Sequence, residues 1–393
     1  MAVQSKRAID IDAYIASHLK SCTRGKQKVE INGKIEFPDS YMLPINYLQY
    51  NPANGRFNLE IQEYETKLER KLDPTDKEDI NKIKELLLND TSEATKLYDD
   101  LEQLGEQREV AAITHDGIVV NGNRRMATIE QLHIKYPSKW NELWVVRLPE
   151  DISEKDLWKI EAGLQLSKEK VADYGPVNNL LMIKEGKKAG LTDSEIAASM
   201  YGWSEKQVAS DLERLTLIDI FLEFMGQPNN YGVIKRFGIH QHFEELQKSL
   251  VEKQKSLGTS KREINKKLEY VFTFLRARIL YPDDVSISYH DIRNICKILQ
   301  DPQATFALTD SFDECKDLRK VPPLKLADNL DKANDVKKNR DDKEKPVKLI
   351  DRAIAALNGI DRKSKHYKED NDVKNKLKTL IDLVHGMITE LGN

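Results

Sequence analysis

Apolar residues recur along this chain at two spacings, and the change from one to the other divides it. Ile9 to Leu19 carries a helical period, and Lys28–Val29–Glu30–Ile31 with Lys34–Ile35–Glu36–Phe37 alternates around Asn32–Gly33 as a β-hairpin does. Leu43–Pro44–Ile45 leads into a turn-rich run from Tyr50 to Arg56. From Ile61 to Leu104 the chain is charged, and Ile80, Ile83, Leu86 and Leu87 fall at helical spacing. Thr75, three residues before Glu78, supplies an N-cap there. Val110 to Val120 reads as strand, and so does Trp144 to Leu148, which Pro149 closes. Beyond Ile152 the strand signals largely stop. Helices are expected over Ser153–Leu166 and Val177–Ala189, and from the cap at Leu191 to Glu195 through Phe224. Gly226 to Gly238 reads as a loop, residues 240–300 as helical, and Val321 to Pro346 as a Pro- and charge-rich linker. Val347 to Leu391 closes the chain as two helices around Asn358–Gly359.

Composition narrows the class. The chain has 393 residues, enough for two or three domains, and 39% hydrophobic with 32% charged residues fits a helix-rich soluble protein. A net charge of −3 offers no global field for nucleic acid, so any such surface is local. Cys22, Cys296 and Cys315 lie far apart and form no CxxC pair, which supports neither a disulfide framework nor a zinc site. No apolar run reaches the length of a membrane helix, and no signal-peptide core follows the N-terminus, so a cytoplasmic location without a membrane is expected.

Candidate chemistry centres on Asp116 to Ala127, where a strand pattern runs into Gly122, Asn123 and the adjacent Arg124 and Arg125. The helical spacing of Met126, Ile129 and Leu132 follows at once. Strand, glycine, twin arginine and helix start make a good anion holder: backbone N–H groups approach closely, the helix start adds partial positive charge, and guanidinium forks fix the guest. A phosphate is the natural guest. Glu161 and Gln165, one helical turn apart, could meet a metal or a polyphosphate. His115 beside Asp116 looks like a catalytic pair, yet adjacent strand residues point to opposite faces.

Residues 191–217 follow helix-turn-helix logic, with Ile196–Ala197 on a first helix, Gly202 in the turn, and Val208 and Leu212 on the second. Met200–Tyr201 absorbs one extra residue. On double-stranded DNA the second helix would offer Ser204, Lys206, Gln207, Ser210 and Arg214, among the acidic Glu205, Asp211 and Glu213. Basic residues from Lys253 to Arg278, interleaved with Tyr270, Phe272 and Phe274, form either a phosphate-contacting surface or a solvated face over an aromatic core.

In order, these pieces resemble the ParB family and the wider ParB/sulfiredoxin superfamily over roughly residues 40–225. Leu43–Pro44–Ile45 and Asn51–Pro52 to Arg56 resemble its opening NPxxxR-like turn, Gly105 to Val110 its G-x-Q-x-P step, Gly122–Asn123–Arg124–Arg125 its GERR phosphate motif, and Ile160–Glu161 to Gln165 its ENxQR segment. The resemblance implies an α+β fold: a 1–40 extension, a ParB/sulfiredoxin-like domain over 41–150 with a helical insertion at 61–104, and an all-α helix-turn-helix domain over 151–238. A helical basic region (239–320), a linker (321–346) and a C-terminal helical hairpin (347–393) complete it.

The resemblance also implies a nucleoside triphosphate, CTP or ATP, with Mg2+. Gly122, Asn123, Arg124, Arg125 and Gln165 would then bind the nucleotide, with Glu161 beside the metal. In the family the nucleotide gates a dimeric clamp on DNA. A homodimer with a partner protein, in plasmid or phage partition, regulation or defence, is the corresponding expectation. A CTPase-like NTPase, a metal-dependent nuclease, a phosphotransferase, and a DNA-binding interaction protein with a degenerate pocket stand as alternatives. Asn123 stands where the family has Glu, Ala162 where it has Asn and Leu166 where it has Arg. The sulfiredoxin branch carries a Cys where this chain has Asn123.

Overall fold

The computed structural model describes residues 5–31, 34–52, 58–89, 91–165, 175–310, 312, 315, 317–341, 346–364, 367 and 371–391. The protein is mixed α+β, and its chain separates into two compact units, one of residues 1–297 with 314–324, the other of 298–313 with 325–393.

In the first unit, helix α1 (Lys6–Cys22) precedes strands β1 (Thr23–Lys26), β2 (Val29–Ile31), β3 (Lys34–Glu36) and β4 (Asp39–Pro44). The β2–β3 hairpin has the expected register, Ile31 against Lys34, while its turn, Asn32–Gly33, lies outside the described residues. Three helices follow, α2 (Asn58–Leu68), α3 (Lys77–Leu88) and α4 (Thr91–Leu104). Asp76, and not Thr75, caps α3: its side chain accepts from the N–H groups of Glu78 and Asp79, while Thr75 donates to Asp73. The expected strand over 110–120 is a hairpin, β5 (Ala111–Ile113) and β6 (Val119–Asn121). Helix α5 (Asn123–Lys135) and β7 (Glu142–Arg147) complete a five-stranded sheet of order β1-β4-β7-β5-β6, antiparallel except where β5 runs parallel to β7.

Strand alternation sends neighbouring side chains to opposite faces. Ala111, Ile113, Val119 and Val145 pack with Met126, Ile129, Ile83 and Leu101 from the helices on one side. Ala112, Val120 and Val146 pack with Ile31 and Ile160 on the other. Ile160 belongs to α6 (Glu154–Gln165), which lies against β6.

Next come α7 (Pro176–Lys188), α8 (Asp193–Ser199) and α9 (Glu205–Phe224). Trp158, Met182, Ile183, Ile196 and Val208 form their shared core. The stretch expected as a loop contains a short helix, α10 (Gly232–Arg236), whose Val233 and Ile234 are buried. Helix α11 (His240–Leu246) continues through a π-helical turn (Gln247–Glu252) into α12 (Lys253–Ser256). Then come α13 (Lys261–Leu280) and α14 (Tyr289–Ile298). Tyr270, Phe272 and Phe274 are buried, with Phe272 edge-on to Phe221, so the aromatic residues of the basic stretch are core.

The second unit holds α15 (Pro302–Thr309), α16 (Pro323–Asp341), α17 (Pro346–Asn358) and α18 (Asn371–Leu391). Helix α16 replaces the expected linker. Leu326, Asn329 and Ala333 are buried at helical spacing, Asn329 donates to the Leu308 carbonyl, and Pro323 sits where proline suits a helix start. Among the described residues no helix is long and apolar enough to cross a membrane.

Candidate functional site

The strand–glycine–helix junction forms as the sequence predicts. β6 ends at Asn121, Gly122 adopts φ 108°, and α5 begins at Asn123 with no side-chain cap. Such a helix start directs the N–H dipoles of its first turn outward. Gly122 has a packing reason to be glycine, because a Cβ there would lie 2.7 Å from the Ala111 Cβ.

The residues expected to share an anion divide their work. Asn123 is buried and does not serve a ligand: its Oδ1 accepts from the Asn51 N–H at 2.9 Å and its Nδ2 donates to the Val119 carbonyl at 2.9 Å. It ties the Asn51–Pro52 turn to the end of β6, which corrects its expected nucleotide role. Arg124 Nε donates to the Leu87 carbonyl at the end of α3, 3.1 Å away. Arg125 Nη2 donates to Glu109 Oε2 at 2.6 Å. Its side chain is only 12% exposed, whereas that of Glu109 is 57% exposed. Arg125 Nη1, enclosed near Gly122, has no hydrogen-bond partner. Burial pulls the Arg125 pKa below its ordinary value, with the Glu109 charge opposing that pull.

Glu161 lies half-buried on α6, beside the strand that feeds Gly122. The Gln165 side chain, like Arg56 of the opening turn, lies outside the described residues. Among the described residues no group of three His, Cys, Asp or Glu side chains could hold a metal ion. One carboxylate does not make a protein-held metal site, so a magnesium ion here would rest chiefly on a nucleotide's own phosphates. His115 and Asp116 occupy the β5–β6 turn rather than a strand. Asp116 accepts from Thr114 Oγ1, and the His115 carbonyl accepts from Arg147 Nε.

A separate cleft of about 420 Å³ opens on the other face of the sheet, between the β2–β3 hairpin, α6 and α8. Lys28, Lys159, Asp156 and Glu195 rim it over a floor of Ala112, Val146 and Ile160. Pattern reading missed it, because its wall joins residues from five distant segments.

Helices α8 and α9 meet as expected. Thr192 and Glu195 form a capping box, Gly202 turns at φ 86°, and Val208 is fully buried. The five residues expected to face DNA separate into two sets. Ser204 caps α9, and Ser204, Lys206 and Gln207 are exposed on its first turn. Gln207 Nε2 also donates to buried Asp211 at 2.8 Å. Ser210 and Arg214 are instead engaged by the π turn: Gln247 Nε2 donates to Ser210 Oγ, and Arg214 Nε donates to Gln247 Oε1. Arg214 also pairs with Asp211 at 3.1 Å.

Of the later basic residues, Arg278 donates to the carbonyls of Ile287 and Phe237, Arg276 to that of Arg319, and Lys255 pairs with Glu213. Lys253, Lys261, Arg262 and Lys266 remain exposed. No protein-family model matches the chain, and no curated protein matches it in sequence.

Proposed function

We propose that this chain is a ParB-like, cytoplasmic DNA-binding protein whose grip on double-stranded DNA is set by a nucleotide phosphate held at the start of α5. It would act as a homodimer in partition, regulation or defence. The observation carrying this reading is Arg125, a nearly enclosed guanidinium beside an uncapped helix start, with one nitrogen lacking a partner. An anion there would meet a buried cation, first-turn N–H dipoles and the open side of Gly122. The exposed first turn of α9 supports the DNA half, since helix-turn-helix readers contact base edges with that end. Nucleotide binding would shift the population toward the state that binds the phosphate better.

Calorimetry with CTP, ATP, GTP and ADP, with magnesium and with or without mixed DNA fragments, tests it. Saturable binding of one nucleotide is expected, and Arg125→Ala is expected to remove it. Binding unchanged in that variant would sink the phosphate site. Arg124→Ala is a poorer probe, because Arg124 also ties α5 to α3. Asn123 favours a second reading, a DNA-binding interaction protein with a degenerate pocket, because its amide is consumed by backbone groups. That reading expects DNA binding with no nucleotide response.

A further inference from the structure

Helices α17 and α18 carry apolar residues that the chain leaves uncovered. No residue of α17 is buried, and Val347, Ile350 and Ile354 are exposed. On α18, Val373, Leu377 and Leu380 are half-buried, and every residue from Ile381 to Leu391 is exposed. Contiguous apolar surface of this kind marks an interaction site. The spacing identifies its geometry. Val373, Leu377, Leu380, Val384, Met387 and Leu391 alternate by four and three, which is the heptad seam of a coiled coil. Val347, Ile350, Ile354 and Leu357 repeat the pattern on α17.

Charge selects the partner. The first half of α18 carries Lys374, Lys376 and Lys378, and the second half carries Asp382 and Glu390. A second α18 laid parallel would set lysines against lysines. Laid antiparallel, the seams interlock around Leu380 and Val384, and Lys376 of each copy flanks Glu390 of the other. The helix is thus complementary to its own reverse, as a two-fold interface requires. Ile381, Leu383 and Ile388 make the seam wider than two helices need, and the exposed stripe of α17 can close it into four.

We infer that α18 pairs antiparallel with α18 of a second copy of this chain along Leu377, Leu380, Val384, Met387 and Leu391, with Lys376 set against Glu390 across the two-fold axis. The seam requires neither nucleotide nor DNA. The full chain at micromolar concentration, examined by light scattering and sedimentation, is expected to have twice the monomer mass. Val384→Glu with Met387→Glu should halve that mass without loss of helical signal, since both side chains are exposed. Lys376→Glu or Glu390→Lys alone should weaken the dimer several-fold at low salt, and the two together should restore it. A monomeric wild type, or a dimer indifferent to the Val384/Met387 pair, overturns the inference. Failure of the double charge swap to rescue overturns the antiparallel register. Binding of the wild type to anionic vesicles as a monomer would assign the face to a membrane surface instead.

Discussion

Asn123 shows what a motif position can become when its backbone neighbours need a partner. Its amide satisfies one buried donor and one acceptor, so Asn123→Ala strands both. A loss of about 2 kcal/mol is expected in urea unfolding, with the midpoint falling and the slope unchanged. Arg125→Ala, by contrast, removes a cation that burial disfavours and one exposed carboxylate compensates. Its expected signature is lost nucleotide binding with little loss of stability. The sequence made the Gly122–Arg125 junction legible because a strand period, a glycine and a helical period meet there. It could not assign the arginines separately. Leu87 and Glu109, their partners, lie on other elements, and adjacency along the chain says nothing of which way each guanidinium turns.

At the scale of elements, local signals held and long-range ones did not. The β2–β3 register, the α8 capping box and the Gly202 turn each follow from a few neighbouring residues. The Val321–Pro346 stretch misled because proline and charge resemble a linker, whereas three buried positions, Leu326, Asn329 and Ala333, are enough to hold a helix. Between α2 and α3, Asp79 accepts from Arg70 and from the Asp73 N–H, and these bonds hold its carboxyl down to about 2. A depressed folded-state pKa gives stability present above the unfolded value and lost as pH falls through the folded one. That corner should therefore weaken as pH drops from about 4, the ordinary Asp value, toward about 2. Asp79→Asn should flatten the acid-unfolding profile in that window. A profile identical to wild type would show that the corner opens independently of this carboxylate.

For the whole molecule, a net charge of −3 means that DNA contact depends on a few placed cations rather than on an overall field. Lys206, exposed at the first turn of α9, is the best placed. Lys206→Ala should weaken DNA binding across sequences and reduce the slope of log affinity against log salt by about 1. An unchanged slope would take the α9 start out of the interface.

The π turn at Gln247–Glu252 sets how α9 is dressed. A π turn is one residue wider than an α turn, so excising one residue within it would let the helix rewind as plain α, rotating whatever lies beyond the cut by about 100°. Gln247 could not then keep its hold on Ser210 and Arg214 while Lys255 also stays on Glu213. A single-codon deletion more than thirty residues downstream would thereby change which side chains α9 presents, making that turn a point where sequence drift can retune recognition without touching the recognition helix.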